Sequence, residues 1–157
     1  MLRKICGYHK DERDDWVAEL DCAHGQHVRH NPPFTNRPWV ETESGRAERL
    51  GFELDCVRCD RFEFPDGLTY YNHSPEFTEA TIPASLQKDH STKTGTWGLI
   101  KVKEGHLTYI AGEHKRELSP TQDGVVVPNM LHSVSANGPV NFCVEFYRLT
   151  SKPEATP

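Results

Sequence analysis

The sequence predicts a mainly β protein in two parts: a small α+β module over residues 1–64 and an antiparallel β-barrel over residues 65–157. Three observations carry this. Short apolar runs rich in Val, Ile, Phe, Tyr and Trp recur after residue 96, separated by Gly, Pro, Asn and Asp, the pattern of short strands joined by tight turns. The first sixty residues hold four of the five cysteines, including the pair Cys56-Val57-Arg58-Cys59. Between the two parts, Phe64-Pro65-Asp66-Gly67 is turn chemistry and reads as a linker.

In the first part, Ile5–Tyr8 and Trp16–Leu20 read as two short strands. The charged segment HKDERDD between them reads as a hairpin loop. Pro32, Pro33 and Pro38 hold the next stretch extended or turned. Thr42 suits the N-cap of a helix from about Glu43 to Leu50, with Gly51 just past its end. A CxxC pair sets two thiolates at the spacing of one tetrahedral ion, and zinc is the usual occupant. Cys22 and His24 lie two apart, so an extended strand would turn both to one face. The expected zinc set is therefore Cys22, Cys56, Cys59 and a histidine, with His24 favoured and His27 and His30 as competitors. Unligated thiols in a small core are the competing reading. It is weakened by size, since about sixty residues bury little apolar surface and such units commonly need a metal. A redox role for the CxxC is disfavoured because no βαβ pattern surrounds it.

In the second part, Trp97–Val102, His106–Ile110, Gly124–Val127, Leu131–Val134 and Val140–Leu149 read as strands. A tight turn is expected at Glu104-Gly105. The tail SKPEATP is polar and expected to fray. His90 precedes the Gly95 loop, and His132 follows the Pro128-Asn129 turn. Glu145 interrupts a strand that is apolar on both faces, where a carboxylate is costly unless paired or ligated. His90, His132 and Glu145 would make a two-histidine, one-carboxylate set suited to Fe2+, Mn2+, Ni2+ or Zn2+. His106 and His114 stand in reserve. Trp97, Tyr109 and Tyr147 are expected to line a ligand pocket beside the metal, supplying apolar wall and polar handles. Structural histidines, and a Glu145 paired with Lys or Arg, are the alternative. Cys143 reads as a core residue.

Two resemblances add to this reading. HGQHVRHNPP, RPWVETESGR and the late CxxC resemble a small family of bacterial domains of unknown function, over nearly all of residues 3–60. That resemblance implies a discrete, zinc-ribbon-like module and brings no activity. Phe77-Thr78, Asp89-His90, Thr94-Gly95-Thr96-Trp97-Gly98, Glu104-Gly105, Pro128–His132 and Glu145-Phe146-Tyr147 resemble a family of cupin-like domains related to tellurite resistance. Such domains also stand at the N-terminus of tellurite-resistance methyltransferases. The resemblance covers about residues 66–150 and implies a double-stranded β-helix. The sequence departs from the general cupin metal pattern, because Thr92 stands where a second histidine would pair with His90. Nothing in the chain offers the Gly-rich strand-turn-helix of a nucleotide cofactor site.

The totals narrow the classes. A formal net charge of −5 disfavours general nucleic-acid binding. A local anion site at His27, Arg29, His30 and Arg37 is a minor option. No apolar run approaches a membrane span, and the charged N-terminus lacks a signal peptide, so a cytoplasmic location is expected. Reduced cysteines then read as ligands or core residues. The expected function is metal-dependent binding of, or action on, a small molecule or metalloid in stress resistance. The alternative is a non-catalytic sensor whose zinc module meets a protein or nucleic-acid partner. The sequence does not decide between enzyme and binding protein. A homodimer through the barrel is expected from the frequency of two-fold pairing.

Overall fold

The computed structural model describes residues 1–28 and 37–150. It divides into two compact units, Met1–Pro65 and Asp66–Pro157. In the first unit, β1 (Leu2–Lys10) and β2 (Trp16–Leu20) form the expected hairpin. The strands β3 (Gly25–His27) and β4 (Glu53–Asp55) extend it into an antiparallel sheet of order β3-β2-β1-β4. Alternation sets which face is buried: Arg3 and Ile5 of β1 and Ala18 and Leu20 of β2 are inside. Helix α1 (Glu43–Glu48) starts where Thr42 caps it, the threonine hydroxyl accepting from the Gly45 amide at 3.0 Å. The helix gives way at Arg49, and Gly51 takes φ +84° two residues on. A single helical turn, α2 (Val57–Asp60), follows β4.

The second unit has two sheets. One runs β10-β7-β12-β5, with a short β6 also paired to β12; the other runs β11-β8-β9. Its members are β5 (Leu68–His73), β6 (Phe77–Thr78), β7 (Trp97–Gly105), β8 (Leu107–Ala111), β9 (His114–Leu118), β10 (Gly124–Val126), β11 (His132–Ser135) and β12 (Val140–Leu149). All pairings are antiparallel. Ile100, Val126 and Phe142 of the first sheet and Val134 of the second border a common interior. The five strands read from the sequence are all present.

Three more strands were not expected. β5 and β6 lie in the Tyr-, Asn- and Pro-containing stretch that offers no clean alternation. β9 is the charged run HKREL, exposed at every residue except Leu118. It is a strand because a two-residue connection, Gly112-Glu113, folds it back on β8 with Ala111 opposite His114. Its charges suit an edge strand, where they discourage pairing with other chains. Among the described residues, no helix is long and apolar enough to cross a membrane.

One turn is fixed by backbone rather than by side chains. Gly105 ends β7 at φ +78°, and a Cβ built there would lie 2.0 Å from the Pro139 carbonyl oxygen. Gly105→Ala adds both a left-handed penalty and a backbone collision. It should lower stability by on the order of 1–3 kcal/mol, read as a fall in the urea midpoint at unchanged slope. Gly112→Ala, at φ +59° with open space around it, should cost less.

Candidate metal centre and barrel cavity

In the first unit the polar heart is a cluster of Cys22, His24, Cys56 and Cys59, whose ligand atoms all lie within 4.8 Å of one another. All four side chains are buried. Two local structures deliver them. Asp21 to His24 is a tight turn between β2 and β3, closed by the Leu20 amide to the His24 carbonyl at 3.0 Å, with Ala23 at φ +72°. Cys56 and Cys59 bracket the α2 turn, the Cys59 amide reaching the Cys56 carbonyl at 3.2 Å. The extended strand expected to aim Cys22 and His24 together is therefore corrected. The same two residues meet because a reversed turn, not a pleat, brings them to one point.

The distances match one tetrahedral ion. Bonds of about 2.3 Å to sulfur and about 2.0–2.1 Å to nitrogen place S···S near 3.8 Å and S···N near 3.5 Å apart. Cys22 Sγ lies 3.8 Å from Cys56 Sγ. His24 Nδ1 lies 3.5, 3.4 and 3.6 Å from the sulfurs of Cys22, Cys56 and Cys59. The other ring nitrogen, Nε2, donates to the Glu63 carbonyl at 2.8 Å. That bond fixes the tautomer that leaves Nδ1 as the ligand, the outer support usual for metal-bound histidine.

The four groups share their protons unevenly. Hydrogen bonds from Cys22 and Cys59 hold the Cys56 thiol far below its ordinary value. Hydrogen bonds to Cys56 and Cys59, together with burial, push Cys22 far above its own. Burial disfavours a charged His24, but bonding to Cys56 and Cys59 outweighs it and raises the ring to about 9. Three buried thiolates around a neutral ring would need a cation among them, which would displace these protons. The structure thus supplies a Cys3His cluster that could hold a metal ion such as zinc. Of the competitors, His27 is occupied elsewhere, its Nε2 2.6 Å from Asp11 Oδ2. His30 and Arg29 lie outside the described residues. Two of the four residues of the anion site therefore lie outside the described structure.

In the second unit His90 and His132 come together by main-chain pairing. Each amide donates to the other's carbonyl, at 3.0 and 2.8 Å, and the rings stand 4.1 Å apart between centroids. The Nδ1 of His90 lies 2.9 Å from the Lys88 carbonyl, and that of His132 lies 3.0 Å from the Met130 carbonyl. Only an N–H can satisfy a carbonyl, so both rings carry their proton on Nδ1 and leave Nε2 for a ligand. Burial, with the neighbouring His90 adding to it, lowers the pKa of His132. A second tie, the Asn129 amide to the Thr92 carbonyl at 3.0 Å, holds the two loops in register. Both histidines border a cavity of about 400 Å3 whose wall is chiefly Phe77, Leu86, Ile100, Val126, Phe142 and Phe146.

Glu145 is not there, and the expected three-ligand set is corrected. Phe142, Val144 and Phe146 face the cavity, so the alternation of β12 turns Glu145 to the opposite face. There it accepts a hydrogen bond from the Tyr147 hydroxyl at 2.6 Å, which pushes that phenol up to about 12. Glu145 needs no metal because it has this partner. The three pocket aromatics are corrected for related reasons. Tyr147 shares the Glu145 face. Trp97 is fully buried on β7 and does not border the cavity. Tyr109 packs edge-on against His132 with ring centroids 5.9 Å apart, its hydroxyl donating to the Val125 carbonyl at 2.9 Å. His106 and His114 are exposed and border no part of this cavity. The actual wall residues Phe77, Pro83 and Leu86 come from a stretch without regular apolar period, so no sequence signal pointed to them.

Residues 72–144 match the model of the TehB-like domain. Residues 6–63 match the model described as a protein of unknown function, DUF3565. Among solved structures, the chain is similar to TehB from Haemophilus influenzae at 27% identity and TM-score 0.50. That likeness covers 54% of this chain and 32% of the other, so this chain spans about a third of that protein's length. A protein from E. coli strain K12 is 20% identical with TM-score 0.51, covering 57% of this chain and 98% of its own, and shares the fold. No curated protein matches the chain. The second unit therefore has the cupin-like, mainly antiparallel fold expected from the sequence.

The full-length protein should retain one tightly held zinc through dialysis. Cys56→Ser or Cys59→Ser should lower zinc affinity by more than the roughly 10–100-fold that losing an outer-sphere support costs. The check is competition with a chromogenic chelator. Stripping the metal should unfold the first unit, seen as loss of the near-UV signals of Trp16 and Trp39.

Proposed function

We propose that this is a metal-binding protein of the tellurite-resistance type, with two metal positions of different purpose. Zinc at Cys22, His24, Cys56 and Cys59 holds the first unit together, since the site is closed, buried and filled by four protein ligands. The second position is the His90–His132 pair, which binds a small molecule or metalloid species beside a divalent cation. The single observation that carries this is the pair itself. Two imidazoles, each locked by an Nδ1–H···O=C bond, border one apolar cavity with their ring centroids 4.1 Å apart.

The donor set fits Zn2+, Ni2+, Fe2+ or Mn2+ in part: imidazole suits these ions, but the cavity wall adds no carboxylate or thiol. Water or a ligand must complete the coordination. A cation so held would act as a Lewis acid toward what binds it. Ser85 and Ser91, exposed residues of the wall, add hydroxyls beside the pair. The wall holds no proton-transfer side chain apart from the two histidines. That favours binding, as in a sensor or carrier, over turnover.

Full-length protein loaded with one zinc should take up a second equivalent of Ni2+ or Zn2+ in a calorimetric titration. His90→Ala or His132→Ala should abolish the second event and leave the first metal in place. Glu145→Gln should alter neither, although it should bring the Tyr147 phenol back toward 10 in an ultraviolet titration. A second event that survives both histidine substitutions would contradict the proposal.

A further inference from the structure

We propose that the barrel cavity takes a neutral organic molecule, an aryl or branched alkyl body carrying a hydroxyl of the phenol or alcohol type, with that hydroxyl donating to the free ring nitrogen of His90 or His132. The proposal rests on the reading that this cavity binds a small molecule, and it needs no ion at the pair. The first argument is charge. Fifteen residues border the cavity and none of them is Asp, Glu, Lys or Arg. An ionised ligand would leave water without gaining a counter-charge, which is costly. A neutral ligand escapes that cost.

The second argument is the inventory of polar groups. The Ser74 hydroxyl donates to the Pro75 carbonyl at 2.8 Å and accepts from the Val144 amide at 2.9 Å. The Thr92 hydroxyl donates to the Thr96 carbonyl at 2.7 Å. Ser85 and Ser91 are exposed. Both imidazoles have given their Nδ1–H to a carbonyl, so each keeps one acceptor, Nε2. Neither Nε2 has a partner among the described residues, and neither is sealed from water. Away from its exposed serines, the wall therefore offers acceptors without a donor. A hydroxyl matches them. A carboxylate, an ether or a ketone brings no proton to donate.

The third argument is shape and surface. A cavity of about 400 Å3 falls in the range of small-molecule pockets. Phe77 and Phe142 lie with ring centroids 5.6 Å apart and planes tilted by 53°, and Phe146 adds a third ring to the same wall. Ring contacts and the apolar area covered both favour an aryl or compact alkyl body.

The test uses full-length protein carrying one zinc and no further cation, at pH 8, where a phenol is un-ionised. 4-Ethylphenol, its methyl ether 4-ethylanisole and 4-ethylbenzoate are titrated by calorimetry. The phenol should bind with saturation. The ether keeps the body and loses the donor, and should bind about fivefold more weakly. The benzoate should bind roughly tenfold more weakly or worse. In the double variant His90→Ala, His132→Ala the phenol should fall to the affinity of the ether while the ether itself changes little, a pattern that loss of structure would not give. Should that variant not fold, the phenol-to-ether ratio in the unaltered protein still decides. An ether that equals the phenol, or a benzoate that outbinds it, overturns the proposal. So does a phenol that binds only after Ni2+ is added, and the ion-dependent reading of the cavity then stands. Absence of a second Ni2+ event, with the phenol still preferred over its ether, sinks that reading and supports this one.

Discussion

The closing of three sulfurs and one imidazole on a single point is the constraint on which the first unit depends. A four-stranded sheet with strands of three to nine residues has a small apolar core, and units of this size commonly gain stability from a metal. The cluster joins the β2–β3 turn to the chain that follows β4, segments more than thirty residues apart. Because β4 pairs with β1 and β2 with its other edge, a metal there locks both halves of the sheet at once. Ala23 pays for this position in backbone strain: a non-glycine residue at φ +72° persists only where its surroundings over-determine it.

The second unit reaches its site by other means. There the main chain does the aligning. The reciprocal amide–carbonyl bonds of His90 and His132 form an isolated bridge outside the strands proper, and each ring is then turned by a carbonyl two residues before it. The side chains need no carboxylate to hold them. One pair of loops thus sets spacing, tautomer and orientation together. The cavity wall beside the pair carries no Asp, Glu, Lys or Arg.

Much of this was legible in the sequence, and the failures share a cause. Cys56 and Cys59 are identified by spacing alone, and Cys22 with His24 by proximity, although the turn at Ala23 that unites them has no glycine to announce it. His90 and His132 are visible as histidines flanking Gly and Pro turns. Glu145 misled because a carboxylate amid apolar neighbours suggests ligation, whereas a hydroxyl two residues along the same strand face was available to it. Strand β9 was invisible because cross-strand pairing, not hydrophobic alternation, makes it a strand. The cavity wall drew on Phe77 and Leu86, whose segment shows no period that could place them inside.

X-ray absorption at the zinc edge of the full-length protein carrying one zinc tests the central claim most directly. Zinc held by Cys22, His24, Cys56 and Cys59 would show a first shell of three sulfurs at about 2.3 Å and one nitrogen at about 2.0–2.1 Å, with the outer scattering of an imidazole ring. A shell with two sulfurs, or one completed by water oxygen, would contradict it.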